Sequence, residues 1–317
     1  EGIVMNVMNR LYPLPLAAFE IVTGDIFSEE EDKSTYERSV LAQRVSKRVD
    51  FAVIDNRSTA LESVSIGRLT EIMKDVAVDL IAQTEAQGLT TTLADELKVK
   101  SSLKTKIRNI VHASLKEAWN LGQDHAKREV EKALAATVPE TKMLMREKIA
   151  LAAKSLTDEA AALFLEQRSY QIAGDVSENL RKRMVTTIFN GIKNSWPLAD
   201  VVRRISDDVD SYSIPQLNTI VRTTTFEAIN EARYNFFSTP ELGGFVEALE
   251  YSAILDGRTT DICRELDGKI YPEDSEVWQT YRPPNHFNCR SLLIAVTQLD
   301  KWQESEPPEL LPAEGFG

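Results

Sequence analysis

Apolar residues recur at three- and four-residue spacing over most of the first 240 positions. Leu61, Leu69, Ile72, Val76 and Leu80 predict an amphipathic helix over 58–88, with Gly88 as its stop. A second helix is expected to open at Thr92, where Asp95 three residues on resembles a capping box. It continues through Leu103, Ile107, Val111, Leu115 and Ala118. Beyond Val138-Pro139 the apolar positions resume towards Leu165, and Val176, Leu180, Met184, Ile188 and Ile192 then repeat every four residues until Trp196-Pro197. A short helix through Val201, Val202 and Ile205 comes next. Ser213, with Gln216 as third helical residue, is expected to cap a separate helix carrying Leu217, Val221, Thr224, Ala228 and Ala232, closed by Pro240 and Gly243-Gly244.

Near residue 240 the pattern changes to short extended pieces: Ala248–Leu255, Lys269–Tyr271 and Leu292–Val296. Asp267-Gly268, between Leu266 and Lys269, is a tight-turn dipeptide and predicts a hairpin, because both residues tolerate the backbone angles such turns need. At the other end, residues 1–35 combine Leu11-Tyr12-Pro13-Leu14-Pro15-Leu16 with the acidic run Ser28-Glu29-Glu30-Glu31-Asp32. This reads as an arm that docks its aliphatic groups, first of all on its own body. The expected organisation is an N-terminal arm (1–35), an elongated helical body (36–240), a compact loop-rich module with short strands (241–300) and a mobile tail (301–317) rich in proline and acid. The fold class is mainly α with a small α+β C-terminal module.

Composition narrows the function. The 317 residues, 43% hydrophobic and 27% charged, suffice for two ordinary domains. The longest apolar runs, such as Leu292–Val296, fall far short of the roughly 20 residues that cross a bilayer, so no membrane partner is expected. After Glu1 there is no basic flank followed by an apolar block, and no secretory signal is expected. A net charge of −12 opposes indiscriminate binding to polyphosphate. Contact with DNA would have to use local clusters, Lys98, Lys100, Lys104, Lys106 and Arg108 or Arg181-Lys182-Arg183, which otherwise read as solvated helix faces balanced by nearby acids. Two cysteines are too few for a disulfide-built secreted scaffold and fit a reducing compartment.

Chemistry-bearing residues concentrate in one stretch: Asp256, Arg258, Thr259, Cys263, Asp267-Gly268, then Pro283-Pro284, His286, Cys289 and Arg290. Cys263, His286 and Cys289 supply three donors suited to zinc, with Asp256 or Asp267 completing a tetrahedron. Two other readings of the same residues stand beside it: thiols packed as small apolar groups with His286 holding a loop, and a Cys263–Cys289 disulfide. Arg258, Arg282 and Arg290 lie near Asp256, Asp261 and Asp267, so guanidinium–carboxylate pairs are expected to lock a module too small for a large core. His112 and His125 have no His or Cys partner at ligand spacing and receive no role.

This pattern, preceded by Arg222-Thr223 and Asn230 to Arg233, resembles the C-terminal region of the Mu F-like phage minor head proteins, also called head morphogenesis proteins. The resemblance covers about the last third of the chain. It departs from the fuller pattern at Thr260 and Ser291, where cysteines often stand, and at Phe287, where proline does. The resemblance implies a non-enzymatic minor component of a tailed-phage head, inside the capsid near the portal vertex and in the host cytoplasm during assembly, acting in head assembly, DNA packaging or ejection. It also implies the portal protein as partner, with scaffold, major capsid protein or packaged DNA as further ones.

Two other classes compete. A metal-dependent nuclease would use the His286–Cys289 turn, but one imidazole would have to fill several roles. A generic helical adaptor needs only the long amphipathic helices. No Gly-rich phosphate loop and no Gly-x-Ser-x-Gly elbow occurs in the sequence.

Overall fold

A computed structural model describes residues 49, 51–89, 93–136, 139–155 and 159–317; the expected arm at 1–35 and the helix start at Thr92 lie outside them. The described chain is mainly helical with one small sheet. The long helices are α1 (Phe51–Gln87), α3 (Ser101–Ala133), α4 (Pro139–Ser155), α5 (Glu159–Lys193) and α6 (Leu198–Phe237), with a single turn, α2 (Leu93–Glu96), between α1 and α3. The C-terminal stretch alternates β1 (Val246–Ser252), α7 (Asp261–Leu266), β2 (Ile270–Pro272), α8 (Val277–Tyr281) and β3 (Leu292–Thr297).

The apolar spacing is legible in the burial. Leu69, Met73, Val76 and Leu80 of α1, and Leu103, Ile107, Val111, Leu115 and Ala118 of α3, are all buried. Gly88 takes φ +73° and returns its amide to Thr84 O, closing α1 as a left-handed C-terminal residue does.

Two helix boundaries differ from expectation. The second helix is broken at 97–100, where Leu97 and Val99 are buried and the Gln83 side chain both donates to Lys98 O and accepts from Lys98 N; that amide replaces the helical bonds of an extended segment. The separate helices expected around 201–205 and 217–232 are one 40-residue helix, α6, with Pro215 inside it. Proline there forfeits one amide donor, while Val201 and Ile205 before it and Leu217, Ile220 and Val221 after it stay buried.

The chain divides into two compact units, and the division is not at 240. One holds Leu61–Ser114 and Leu165–Val221; the other holds the described residues up to Ala60, Leu115–Phe164 and Arg222–Gly317. The last turns of α6 thus belong with the sheet, for reasons given below.

The sheet is antiparallel in the order β2-β1-β3. β3 is buried along its whole length and β1 at all but Glu247, the pattern of strands covered on both faces. Their core includes Val130, Met145, Ile149, Phe236, Phe237, Phe245, Leu249, Trp278 and Leu293. The expected Asp267-Gly268 turn is present: Asp267 at φ −59°, ψ 120° and Gly268 at φ +79° are bridged by Lys269 N donating to Leu266 O, a type II turn. Its arms are a helix and a strand rather than two strands, since α7 precedes it.

The segment expected as a mobile tail is instead bonded to the module. Ser305 N donates to Ile270 O, the amides of Glu309 and Leu310 to the Glu265 carboxylate, and Ala313 N to Asn285 O; Phe316 packs edge-on against Phe287 at 5.0 Å.

Candidate functional site

β3 is an edge strand, and its outer edge is satisfied by side chains rather than by another strand. Asn230 Oδ1 accepts from Leu293 N at 3.1 Å while its Nδ2 donates to Ser291 O at 2.9 Å. Arg233 donates from Nε and Nη2 to Leu293 O at 2.9 and 2.7 Å, and Glu129 Oε1 accepts from Ala295 N at 2.6 Å. Arg233 also pairs with Glu129 and meets His125 Nδ1 at 3.0 Å. Arg233 and Glu129 are 0% and 1% exposed at their side chains, so each charge depends on the other and on the strand it holds. An open edge invites pairing with other chains; here α3 and α6 cover it.

The loop after β1 is built around Asp256. Its Oδ1 accepts from Arg258 N at 2.8 Å, and Oδ2 pairs with Arg290. Thr259 Oγ1 accepts from Asp256 N at 2.8 Å and donates to Ile254 O at 2.5 Å. Burial works against the Asp256 carboxylate, but hydrogen bonds from Arg290 and the Arg258 amide outweigh it and hold its pKa below the ordinary value. Asp267 Oδ1 accepts from Ala253 N at 2.9 Å. Arg282 pairs with Glu231 at 3.1 Å and lies over the Tyr234 ring, 4.2 Å from its centroid. Next to it, the Pro283–Pro284 peptide is cis.

Cys263, His286 and Cys289 come together as expected. Cys263 is on α7, and the other two flank a turn closed by Cys289 N donating to His286 O. Asn288 in that turn takes φ +59°, a conformation asparagine tolerates, and its amide donates to Thr223 Oγ1 at 2.9 Å. The three donor atoms lie within 4.8 Å of one another: Cys263 Sγ is 3.2 Å from His286 Nε2 and 3.8 Å from Cys289 Sγ. Both thiols are buried and free. His286 Nδ1 meets Phe287 O at 2.7 Å, the contact that turns Nε2 towards the sulfurs.

The two thiols are electrostatically unlike. The hydrogen bond to Cys289, then burial, pushes Cys263 up to about 12. Burial opposes the Cys289 anion too, but hydrogen bonds from Cys263 and from the amides of Asn285 and Ser291 bring it down to about 6. For His286, burial disfavours the cation, and contact with the Cys263 sulfur outweighs that and raises the imidazole.

The expected carboxylate ligands do not join this cluster: Asp256 is committed to Arg290 and its own loop, and Asp267 to the Ala253 amide. Sequence reading also missed Glu129 and left His125 without a role. The available signal was their i, i+4 spacing on the buried face of α3, two polar groups among Ala126 and Val130. In the basic clusters, Lys100 pairs with Asp79 at 2.5 Å, Arg108 with Glu166 and Arg181 with Glu178 at 2.7 Å, as a balanced helix face does.

Comparison with known proteins places these features. Residues 178–294 match the family described as Phage Mu protein F like protein. The Mu-like prophage FluMu F protein of Haemophilus influenzae is 34% identical over 94 residues, 29% of this chain and 22% of that protein. The putative capsid assembly protein F of Escherichia phage Mu is 31% identical over 91 residues, 28% of this chain and 20% of that one. The matched stretch thus spans about a fifth of each relative's length. No solved structure matches the chain. Asn230, Arg233, Asp256, Cys263, His286, Cys289 and Arg290 all fall inside the matched stretch, and over that C-terminal part, residues 178–294, the chain is similar to the Mu F-like proteins.

Proposed function

We propose that the chain is a structural component of a tailed-phage head, a minor head protein that acts in head assembly at the portal vertex inside the capsid. The observation that carries this reading is the likeness over residues 178–294 to Mu F proteins, one of them named a putative capsid assembly protein. The geometry supports a structural rather than a catalytic use of the matched residues. Asn230 and Arg233 stand in for a missing strand, Asp256 and Arg290 lock a loop, and Asp267 holds the end of β1.

On this reading the portal protein is the partner, with packaging and ejection the steps the protein serves. Cross-linking with mass spectrometry on particles carrying this chain is the test. Cross-links to the portal are the expected result; links only to tail proteins, or none to any head protein, sink it.

The Cys263–His286–Cys289 cluster serves the same structural end by holding zinc. Bond lengths of about 2.3 Å to sulfur and about 2.0 Å to nitrogen, at tetrahedral angles, separate two sulfurs by about 3.8 Å and a sulfur from a nitrogen by about 3.5 Å. The observed 3.8 and 3.2 Å are close to both. Amide donors to Cys289 and the Nδ1 contact of His286 are the outer contacts such ligands need. Elemental analysis of protein purified without an affinity-metal step is expected to give near-stoichiometric zinc whose chelation lowers the melting temperature. Sub-stoichiometric metal, with melting unchanged on chelation, contradicts it.

A further inference from the structure

Resting on the metal reading above, we infer that Tyr251 supplies the fourth donor, so that the centre is a closed S2NO tetrahedron of two thiolates, an imidazole and a phenol oxygen. Tyr251 is on β1, its side chain is fully buried, and its Oη lies 3.2 Å from Cys263 Sγ and 3.9 Å from Cys289 Sγ. A tetrahedral ion with these ligands separates oxygen from sulfur by about 3.5 Å, midway between the two observed values.

The phenol is held for this position. Asn285 Nδ2 donates to Tyr251 Oη at 3.0 Å and to Tyr281 O at 2.9 Å, so the amide fixes the oxygen from one side while the two sulfurs stand on another. Carboxylates are not the competitors, because among the described residues no Asp or Glu oxygen joins the three donors.

Ser291 is the competitor. Its Oγ donates to Cys263 Sγ at 3.4 Å. Ser291 thus acts as a hydrogen-bond donor to sulfur, whereas the Tyr251 oxygen stands near both sulfurs and is itself held by Asn285, the placement of a ligand. A tyrosine ligand leaves no position for water or substrate, which makes the centre structural in the sense that closed four-ligand sites are.

The test is cobalt(II) titration of the metal-free full chain, read by visible absorption and by competition with a chelator. Wild type is expected to give the intense bands of a four-coordinate thiolate site. Tyr251→Phe is expected to bind on the order of tenfold or more weakly, with weakened and shifted bands, while Ser291→Ala stays within about twofold of wild type. An identical spectrum and affinity for Tyr251→Phe overturns the tyrosine ligand and leaves the metal reading standing; loss of the four-coordinate bands in Ser291→Ala alone transfers the role to Ser291. No cobalt binding by wild type overturns both. Should Tyr251→Phe not fold, zinc addition to wild type decides. Coordination ionises the phenol, so a tyrosinate difference absorption worth one of the chain's eight tyrosines is expected, and no such absorption overturns the inference.

Discussion

The two compact units are held by different means. In the unit of Leu61–Ser114 and Leu165–Val221, helices meet through apolar faces, Leu69, Val76, Leu80, Leu103, Ile107, Val176, Leu180 and Met184 among them. Its ion pairs, such as Lys100 with Asp79 and Arg181 with Glu178, each keep at least one partner exposed. In the unit that contains the sheet, buried polar side chains decide the arrangement: Asn230, Arg233 and Glu129 complete the edge of β3, and Asp256 with Arg290 fixes a loop. Apolar burial is non-directional and tolerates exchange of one aliphatic for another; a buried charge tolerates neither loss of its partner nor a shift in register. The first unit is therefore specified by a period and the second by individual residues.

Removing one such residue is the strongest way to break the contrast. Arg233→Ala leaves Glu129 buried without its cation and the Leu293 carbonyl without its donors, and is expected to cost about 3–5 kcal/mol, measured by urea denaturation. Hydrogen exchange should locate the loss in β3. A comparable aliphatic truncation in the other unit, Leu80→Ala at a fully buried position, is expected to cost about 2–5 kcal/mol through the cavity it leaves, whereas Leu80→Met costs less than about 1.5. Arg233→Lys has no such latitude, because an ammonium cannot reach Leu293 O, Glu129 and His125 together. If Arg233→Lys proves as mild as Leu80→Met, the contrast between the units fails.

Close approach of backbones sharpens it next. A methyl at Gly122 in α3 would sit 2.4 Å from Ile229 O and 2.8 Å from Ile229 Cα, both main-chain atoms of α6 that no side-chain rotation can move. Gly122→Ala is expected to cost about 1–3 kcal/mol or more and to weaken the Arg233 network one turn along α6. Unchanged melting would mean that α3 and α6 are held less tightly than their contact implies.

How much of this was legible follows the same division. Leu69, Val76, Leu80, Ile107 and Val111 announced their helices because a helix needs only a period to show itself, and the short strands 246–252, 270–272 and 292–297 fell close to the extended pieces expected at 248–255, 269–271 and 292–296. The fusion of α6 across Pro215 was not legible, since proline weakens a helix locally while tertiary packing on both sides decides whether it continues. In the site, Cys263, His286 and Cys289 were legible as a triad because soft donors are rare in this chain. Their fourth neighbour was not: Tyr251 reads as a strand aromatic, and only the fold brings its oxygen to the sulfurs. Glu129 was hidden for the same reason, 104 residues before the arginine it pairs with. The match beginning at residue 178, inside α5, also extends the likeness back from Arg222, where the motif residues begin.

Acid should probe the loop with a smaller effect. Hydrogen bonds from Arg290 and the Arg258 amide, overcoming burial, lower the Asp256 pKa below its ordinary 3.8 in the folded chain, so the unfolded chain binds its proton first as pH falls. The stability this carboxylate contributes is present above pH 3.8 and is lost as pH falls through the lower folded value. Asp256→Asn is therefore expected to melt below wild type at pH 7 and to converge with it towards pH 3, in melting curves followed by circular dichroism. A constant gap across that range would show that the hydrogen-bonding shape of Asp256, not its charge, holds the loop.

The smallest effect has the opposite sign and tests the other unit. Gly174 lies exposed in α5, and a methyl there meets nothing within 4 Å. Glycine inside a helix loses more backbone freedom on folding than alanine does, and no contact or positive φ compensates at this position. Gly174→Ala is expected to stabilise by about 0.5–1 kcal/mol, read as a raised urea midpoint with an unchanged slope. The same substitution at Gly122 destabilises, so the pair reads the two modes of assembly with one change of chemistry: period alone at 174, a fitted backbone contact at 122. A loss at Gly174 would mean that the exposed face of α5 is not filled by solvent in the folded chain, and a periodic account of that unit would no longer suffice.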